Sequence, residues 1–122
     1  MTAMTHAFGL GIGVEFDDGR AVVAVAGEID VYSVAALREE LAALDAAGHH
    51  LVAVDLTDMT FCDSSGLGVL VGAVKRATAG GGGVSLFGAP DHFLRVLRIT
   101  GLVKVMPPFA RRDEALCWLD AQ

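Results

Sequence analysis

Basic residues are scarce in this sequence: 9 Lys and Arg stand against 15 Asp and Glu, a formal net charge of −6. Binding to nucleic acid without regard to sequence needs cations to neutralise phosphates. Docking on anionic lipid has the same need. Both are disfavoured here, whereas a basic protein partner is compatible. Cysteine is nearly absent, and Cys62 and Cys117 have no metal-type spacing. They read as reduced, buried side chains. Residues 1–13 have no basic region followed by an apolar core, so no signal peptide is expected. No apolar run approaches a membrane span. Together these features point to the cytoplasm.

Catalytic machinery is also missing from the pattern. A phosphate loop needs Lys followed by Ser or Thr after its glycines. The run Gly80–Gly83 is followed by Val84-Ser85, so it reads as a helix-to-strand connector. The opening Gly9-Leu10-Gly11-Ile12-Gly13 precedes a strand instead of following one, which removes a dinucleotide loop. A hydrolase elbow reads G-x-S-x-G. Two positions before Ser64 and Ser65 stand Cys62 and Asp63, so neither serine fits. A triad needs a histidine base, and His6, His49, His50 and His92 fall where surface histidine is the default. The carboxylates are scattered, with no acid–base pair and no metal spacing. No catalytic residue, metal or cofactor is expected.

What is present is a compact alternation of strands and helices. The chain has 122 residues, 53% of them apolar and 20% charged, enough for one domain with a core. Ile12–Phe16 and Ala21–Ala26 read as strands joined by Asp17-Asp18-Gly19, a tight hairpin signal. Ser33 is an N-cap candidate. Val34, Leu37, Leu41 and Leu44 follow on one helical face, and Gly48 ends the helix. Leu51–Leu56 is a short β-branched apolar run, suited to a strand buried on both faces. Thr57–Asp63 reads as a loop. Leu67, Leu70, Val71 and Val74 mark a second helix, and Val84–Phe87 a strand. Pro90-Asp91 starts a third helix that ends at Gly101. Leu102–Met106 reads as an edge strand, and Asp113–Leu119 as a last helix.

The order β-β-α-β-α-β-α-β-α predicts an α/β domain with a mixed, mostly parallel sheet of about five strands and helices mainly on one face. The domain spans 1–122, with a core of about 10–119 and residues 1–9 flexible. Val22, Val25, Leu41, Val52, Val54, Leu70, Val74 and Leu97 are expected to be buried.

The most informative stretch is Phe61-Cys62-Asp63-Ser64-Ser65-Gly66-Leu67-Gly68, which leads into a helix. Ser64 falls at or beside the N-cap, where unpaired N–H groups and a partial positive charge favour a phosphate. Asp63, Ser64 and Ser65 also read as plain helix caps, their commonest use. Gly66 and Gly68 are poor helix formers. Their expected value is a bare surface that another protein's backbone can approach.

These residues, with Gly27-Glu28-Ile29-Asp30, Ser33, Val54-Asp55-Leu56 and Thr100-Gly101-Leu102, resemble the STAS domain. More narrowly, the chain resembles bacterial anti-sigma factor antagonists, from about Leu10 to Leu119. The resemblance implies partner switching. The unmodified antagonist binds an anti-sigma factor that is also a serine kinase, and the sigma factor is freed. The kinase then phosphorylates the serine after the motif aspartate, which is Ser64 here, with Ser65 the alternative. A PP2C-type phosphatase reverses the step. Asp30, Asp63, Ser64, Ser65, Gly66 and Gly68 are the implied partner-binding residues. Phosphate adds about −1.5 to −2 charge, which the helix N-terminus is expected to stabilise within the domain and the interface to repel. The same fold also serves scaffold or accessory subunits of signalling or transporter complexes.

Overall fold

The computed structural model describes residues 3–122. Among these residues, six strands form one sheet in the order β1-β2-β3-β4-β5-β6. They are β1 (Ala3–Ala7), β2 (Leu10–Asp17), β3 (Arg20–Ile29), β4 (Leu51–Cys62), β5 (Gly83–Phe87) and β6 (Pro108–Phe109). The helices are α1 (Val34–Ala46), α2 (Ser64–Ala79), α3 (Asp91–Thr100) and α4 (Arg112–Asp120). The first three strands pair antiparallel, and β3 through β6 pair parallel.

This topology fixes where the helices lie. Four successive parallel strands placed in sequence order need three crossovers of one hand, and the right-handed one is strongly preferred. The three crossover helices α1, α2 and α3 therefore share one face. Their buried residues Leu37, Leu41, Leu70, Val74, Phe93 and Leu97 form one core with Val23, Val25, Val52, Val54, Val84 and Leu86 of the sheet. Only α4 follows the last strand and is free to cross to the other face. There Ala115, Leu116 and Leu119 cover Val22, Ala53 and Phe87. The alternation of Val22 against Val23 and Ala53 against Val54 is the period-two pattern of strands buried on both sides. All eight residues expected in the core are buried.

The hairpin turn is Asp18-Gly19, with φ of 54° and 83°, the two positive values a two-residue turn needs. Ion pairs then fasten α4 across it: Arg112 to Glu15 and Asp17, and Arg20 to Asp120.

Three expectations need correction. Met1 and Thr2, within the segment expected to be flexible, lie outside the described residues. Ala3–Ala7 is a strand, registered from Ala3↔Val14 to Ala7↔Leu10, and Thr5 Oγ1 donates to Glu40 of α1 at 2.8 Å. Its turn, Phe8-Gly9, puts a phenylalanine at φ 51°, which turn chemistry does not signal.

The reading of Thr57–Asp63 as a loop is also corrected, because β4 continues to Cys62. Its pairing with β3 shifts register twice, between Ala24 and Ala26 and between Gly27 and Glu28. Each shift inserts one residue into β4 and breaks the two-residue alternation.

Finally, Leu102–Met106 is not a strand. Leu102–Lys104 is a 3₁₀ turn after the left-handed Gly101, and the edge strand lies at Pro108–Phe109. Leu102, Val103 and Met106 meet the core at turn spacing, which β-branched composition alone does not reveal. A proline without an N–H is tolerated there because β6 is an edge.

Candidate functional site: the β3 and β4 ends around Ser64

In a parallel pair, the loops after both strands emerge at the same end. Ile29 pairs with Cys62, so the residues that follow, Asp30 and Asp63, are brought to adjacent positions. Asp63 N–H donates to the Ile29 carbonyl at 3.0 Å, closing the junction.

Asp63 is the N-cap of α2, and Ser64 is the first helical residue. The carboxylate Oδ1 accepts from Ser65 N at 3.0 Å, Gly66 N at 3.2 Å and the Ser65 hydroxyl. These bonds hold the Asp63 carboxyl below the usual carboxylate range. The Ser65 hydroxyl is the foremost cause, and the Gly66, Ser65 and Val31 N–H groups reinforce it against partial burial.

The two serines therefore differ in kind. Ser65 is half-buried with its hydroxyl committed to Asp63. Ser64 is exposed, and its hydroxyl has no hydrogen-bond partner among the described residues. The motif is divided between neighbours: Asp63 caps the helix, and the Ser64 hydroxyl stays free among the described residues.

One expectation about charge changes. The Ser65 and Gly66 N–H groups at the helix start are already taken by Asp63. A phosphate on Ser64 meets an occupied cap, with a carboxylate beside it.

Asp30 uses its own carboxylate locally. Oδ1 accepts from Tyr32 N at 2.9 Å and Ser33 N at 3.0 Å. It thus shapes the loop that presents Val31 and Tyr32. Ser33 precedes α1 but makes no side-chain cap. It is fully buried, donating to the Glu28 carbonyl at 2.8 Å and accepting from Asp30 N at 3.0 Å. Serine therefore locks the loop here instead of capping the helix.

The two glycines also part ways. Gly66 is buried, and a Cβ there would stand 2.5 Å from Ile29 Cγ2 and 2.7 Å from Cys62 Sγ. Its role is to let α2 press against the strand ends, which corrects its reading as bare surface. Gly68 is exposed, with nothing within 4 Å of a Cβ position. It alone of the pair leaves surface bare. Cys62 packs against the core, and burial, with the Asp63 charge second, pushes its thiol up to about 12. The thiol therefore stays protonated and unreactive at neutral pH.

A cleft of about 190 Å³ is lined by Cys62, Asp63, Ser64, Leu67, Phe93 and Val96. Val31, Tyr32 and Phe61 are exposed near the same strand ends, at 66%, 74% and 48%. Contiguous exposed apolar side chains mark interaction surfaces. The sequence reading did not single these residues out. Their one signal is that Val31-Tyr32, between buried Ile29 and Ser33, follows neither strand nor helix periodicity. Among the described residues, no group of three His, Cys, Asp or Glu is placed to hold a metal, and no helix is long and apolar enough to cross a membrane.

Comparison with known proteins identifies the family to which the domain carrying this site belongs. The family model described as "Mlab, STAS domain" matches residues 12–108. The chain belongs to the STAS domain family. Within that family it groups with the anti-sigma factor antagonists. The anti-sigma-B factor antagonist of Bacillus subtilis is 36% identical over 104 residues, covering 85% of this chain and 94% of the relative. That of Listeria monocytogenes is 36% identical over 92 residues, covering 75% and 81%. The crystal structure of an anti-sigma factor antagonist from Mycobacterium paratuberculosis superposes with a TM-score of 0.80 at 29% identity, covering 91% of this STAS chain and 94% of that one. The Bacillus protein SpoIIAA in its phosphorylated form shares the fold, with a TM-score of 0.71 at 23% identity over 87% and 96% of the two chains. These relatives are regulatory binding proteins, and they support an anti-sigma factor antagonist role for this chain.

Proposed function

We propose that this chain is the switch component of a partner-switching pathway in the cytoplasm. Unphosphorylated, it binds an anti-sigma factor that is also a serine kinase, and the sigma factor is released. Phosphorylation of Ser64 ends the binding, and a PP2C-type phosphatase restores it. The chain itself catalyses nothing; kinase and phosphatase bring the chemistry.

The observation that carries this reading is the free, exposed Ser64 hydroxyl beside a Ser65 hydroxyl already bonded to Asp63. A kinase needs an accessible acceptor, and the motif offers one. The exposed Val31, Tyr32, Phe61 and Val96 supply apolar area for docking, and the bare Gly68 permits close approach. Asp30 acts by holding the Val31-Tyr32 loop in shape.

The effect of the phosphate follows from electrostatics. About −1.5 to −2 charge arrives next to the Asp63 carboxylate, whose own bonds occupy the nearest N–H groups. The group is directed outward, into whatever is docked. At a desolvated interface fitted to a neutral hydroxyl, that charge is costly and the partner leaves. The domain need not refold. SpoIIAA, which shares only the fold, was solved in unphosphorylated and phosphorylated forms, and both match this chain with a TM-score of 0.71.

The test is reconstitution. Added to a complex of the cognate anti-sigma factor and its sigma factor, the unmodified chain is expected to displace the sigma factor on size-exclusion chromatography. The phosphorylated chain is expected to leave the complex intact. If the chain instead co-purifies with a transporter ATPase or a large homo-assembly and leaves the sigma complex untouched, the scaffold reading replaces this one.

A further inference from the structure

On the other side of α2 from the Ser64 cleft lies a second groove, between α1 and α2. It has a volume of about 240 Å³ and is lined by Arg38, Ser65, Gly68, Val69, Gly72 and Arg76. Three observations set it apart from ordinary surface.

The first is unpaired cationic groups. Arg20 and Arg112 each bond carboxylates within the domain. Arg76 does not: its Nε and Nη2 are buried with no acceptor among the described residues. Buried donors without partners are uncommon and costly, and each one calls for an explanation. Arg38, exposed on α1, has no hydrogen bond or ion pair among the described residues either.

The second is the local charge. The chain as a whole is at −6, yet no acidic residue occurs from Ser64 to Pro90, a stretch that carries Lys75 and Arg76. The two charged residues that line the groove, Arg38 and Arg76, are both cationic on an acidic molecule. The third is shape. Gly72 leaves room for the guanidinium, with Arg76 Nη1 3.5 Å from its Cβ position, and Gly68 leaves the floor open. Ser65 at the groove's end joins it to the switch serine.

We infer that this groove receives a carboxylate side chain of the anti-sigma factor, held between Arg38 and Arg76. This rests on the antagonist reading and adds the chemistry of the partner. Guanidinium forks bind carboxylates in a bidentate manner, and such charge-assisted bonds are the stronger ones. A protein partner is favoured over a free anion because Ser65, which lines the groove, is the neighbour of Ser64 in the first turn of α2. A partner that covers the first turn of α2 reaches both clefts, one through Ser64 and the other through Ser65.

The test measures affinity of the full chain for its cognate anti-sigma factor at low and high salt, by calorimetry. Arg38→Gln and Arg76→Gln are each expected to weaken binding by roughly tenfold or more and to flatten its salt dependence. Arg76→Lys keeps the charge without the fork and is expected to fall between. Arg38 is exposed on α1, so Arg38→Gln keeps the fold even if Arg76→Gln does not, and circular dichroism checks both. Wild-type binding with both Gln variants unchanged in affinity and salt slope overturns the groove assignment and leaves the antagonist reading standing. Absence of any complex with the wild-type chain overturns both.

Discussion

The Ser65 hydroxyl donates to Asp63 Oδ1, the same oxygen that accepts the Ser65 and Gly66 N–H groups of the first turn of α2. This bond is the foremost reason the Asp63 carboxyl sits below its ordinary range. A depressed folded-state value means that ionised Asp63 contributes stability in full above the unfolded carboxylate value of about 3.9. The contribution is lost as pH falls through the lower folded value. Asp63→Asn keeps a capping oxygen without the charge. Its melting temperature is expected to lie below wild type at pH 6–7, with the gap closing below about pH 4. A gap that stays constant with pH contradicts the assignment. Ser65→Ala is expected to shift the closing point upward.

Gly66 and Gly68 make a matched pair of opposite sign. Gly66→Ala places a methyl against Ile29 and Cys62. It is expected to destabilise by about 1–3 kcal/mol, as overpacking does. Gly68→Ala meets nothing and gains helix propensity, so it is expected to stabilise by about 0.5–1 kcal/mol. Because it also covers bare surface, it is expected to weaken binding to the anti-sigma factor. Urea titration of both variants checks the stabilities, and calorimetry checks the binding.

Asp30 and Leu70 separate loop shape from core. Leu70 is fully buried, and Leu70→Ala is expected to cost about 2–5 kcal/mol in a denaturant titration. Asp30→Ala frees the Tyr32 and Ser33 N–H groups and is expected to loosen the Val31-Tyr32 loop. Anti-sigma factor affinity is expected to fall while the domain stays folded. Unaltered affinity shows that the loop takes no part in docking.

Much of this was legible in the sequence because periodicity and topology agree. Val34, Leu37, Leu41 and Leu44 repeat on one helical face, and Val52 and Val54 alternate along a strand; all six are buried. The β-α-β order then forces α1 to α3 onto one face and brings Asp30 beside Asp63. What escaped has local causes. Two bulges hide the continuation of β4 beyond Leu56. Phe8 at positive φ hides the turn after β1. The strand-like composition of Leu102–Met106 masks a 3₁₀ turn whose buried side chains follow turn spacing. At the site, the motif located the helix start, but composition could not tell which serine the cap would bind. Nor could it tell that Gly66 faces Ile29 while Gly68 faces solvent. Those depend on a neighbouring strand that the motif does not contain.

The most direct test of the switch is to map the phosphate. The purified chain is mixed with its cognate anti-sigma kinase and Mg-ATP, and the product is analysed by intact mass and by peptide mass spectrometry. One phosphoryl group on Ser64 is expected. Ser64→Ala is expected to take none and to remain bound to the kinase, and Ser65→Ala is expected to be modified still at Ser64. Phosphate on Ser65 alone, or on neither serine with a demonstrably active kinase, contradicts the assignment of Ser64 as the switch.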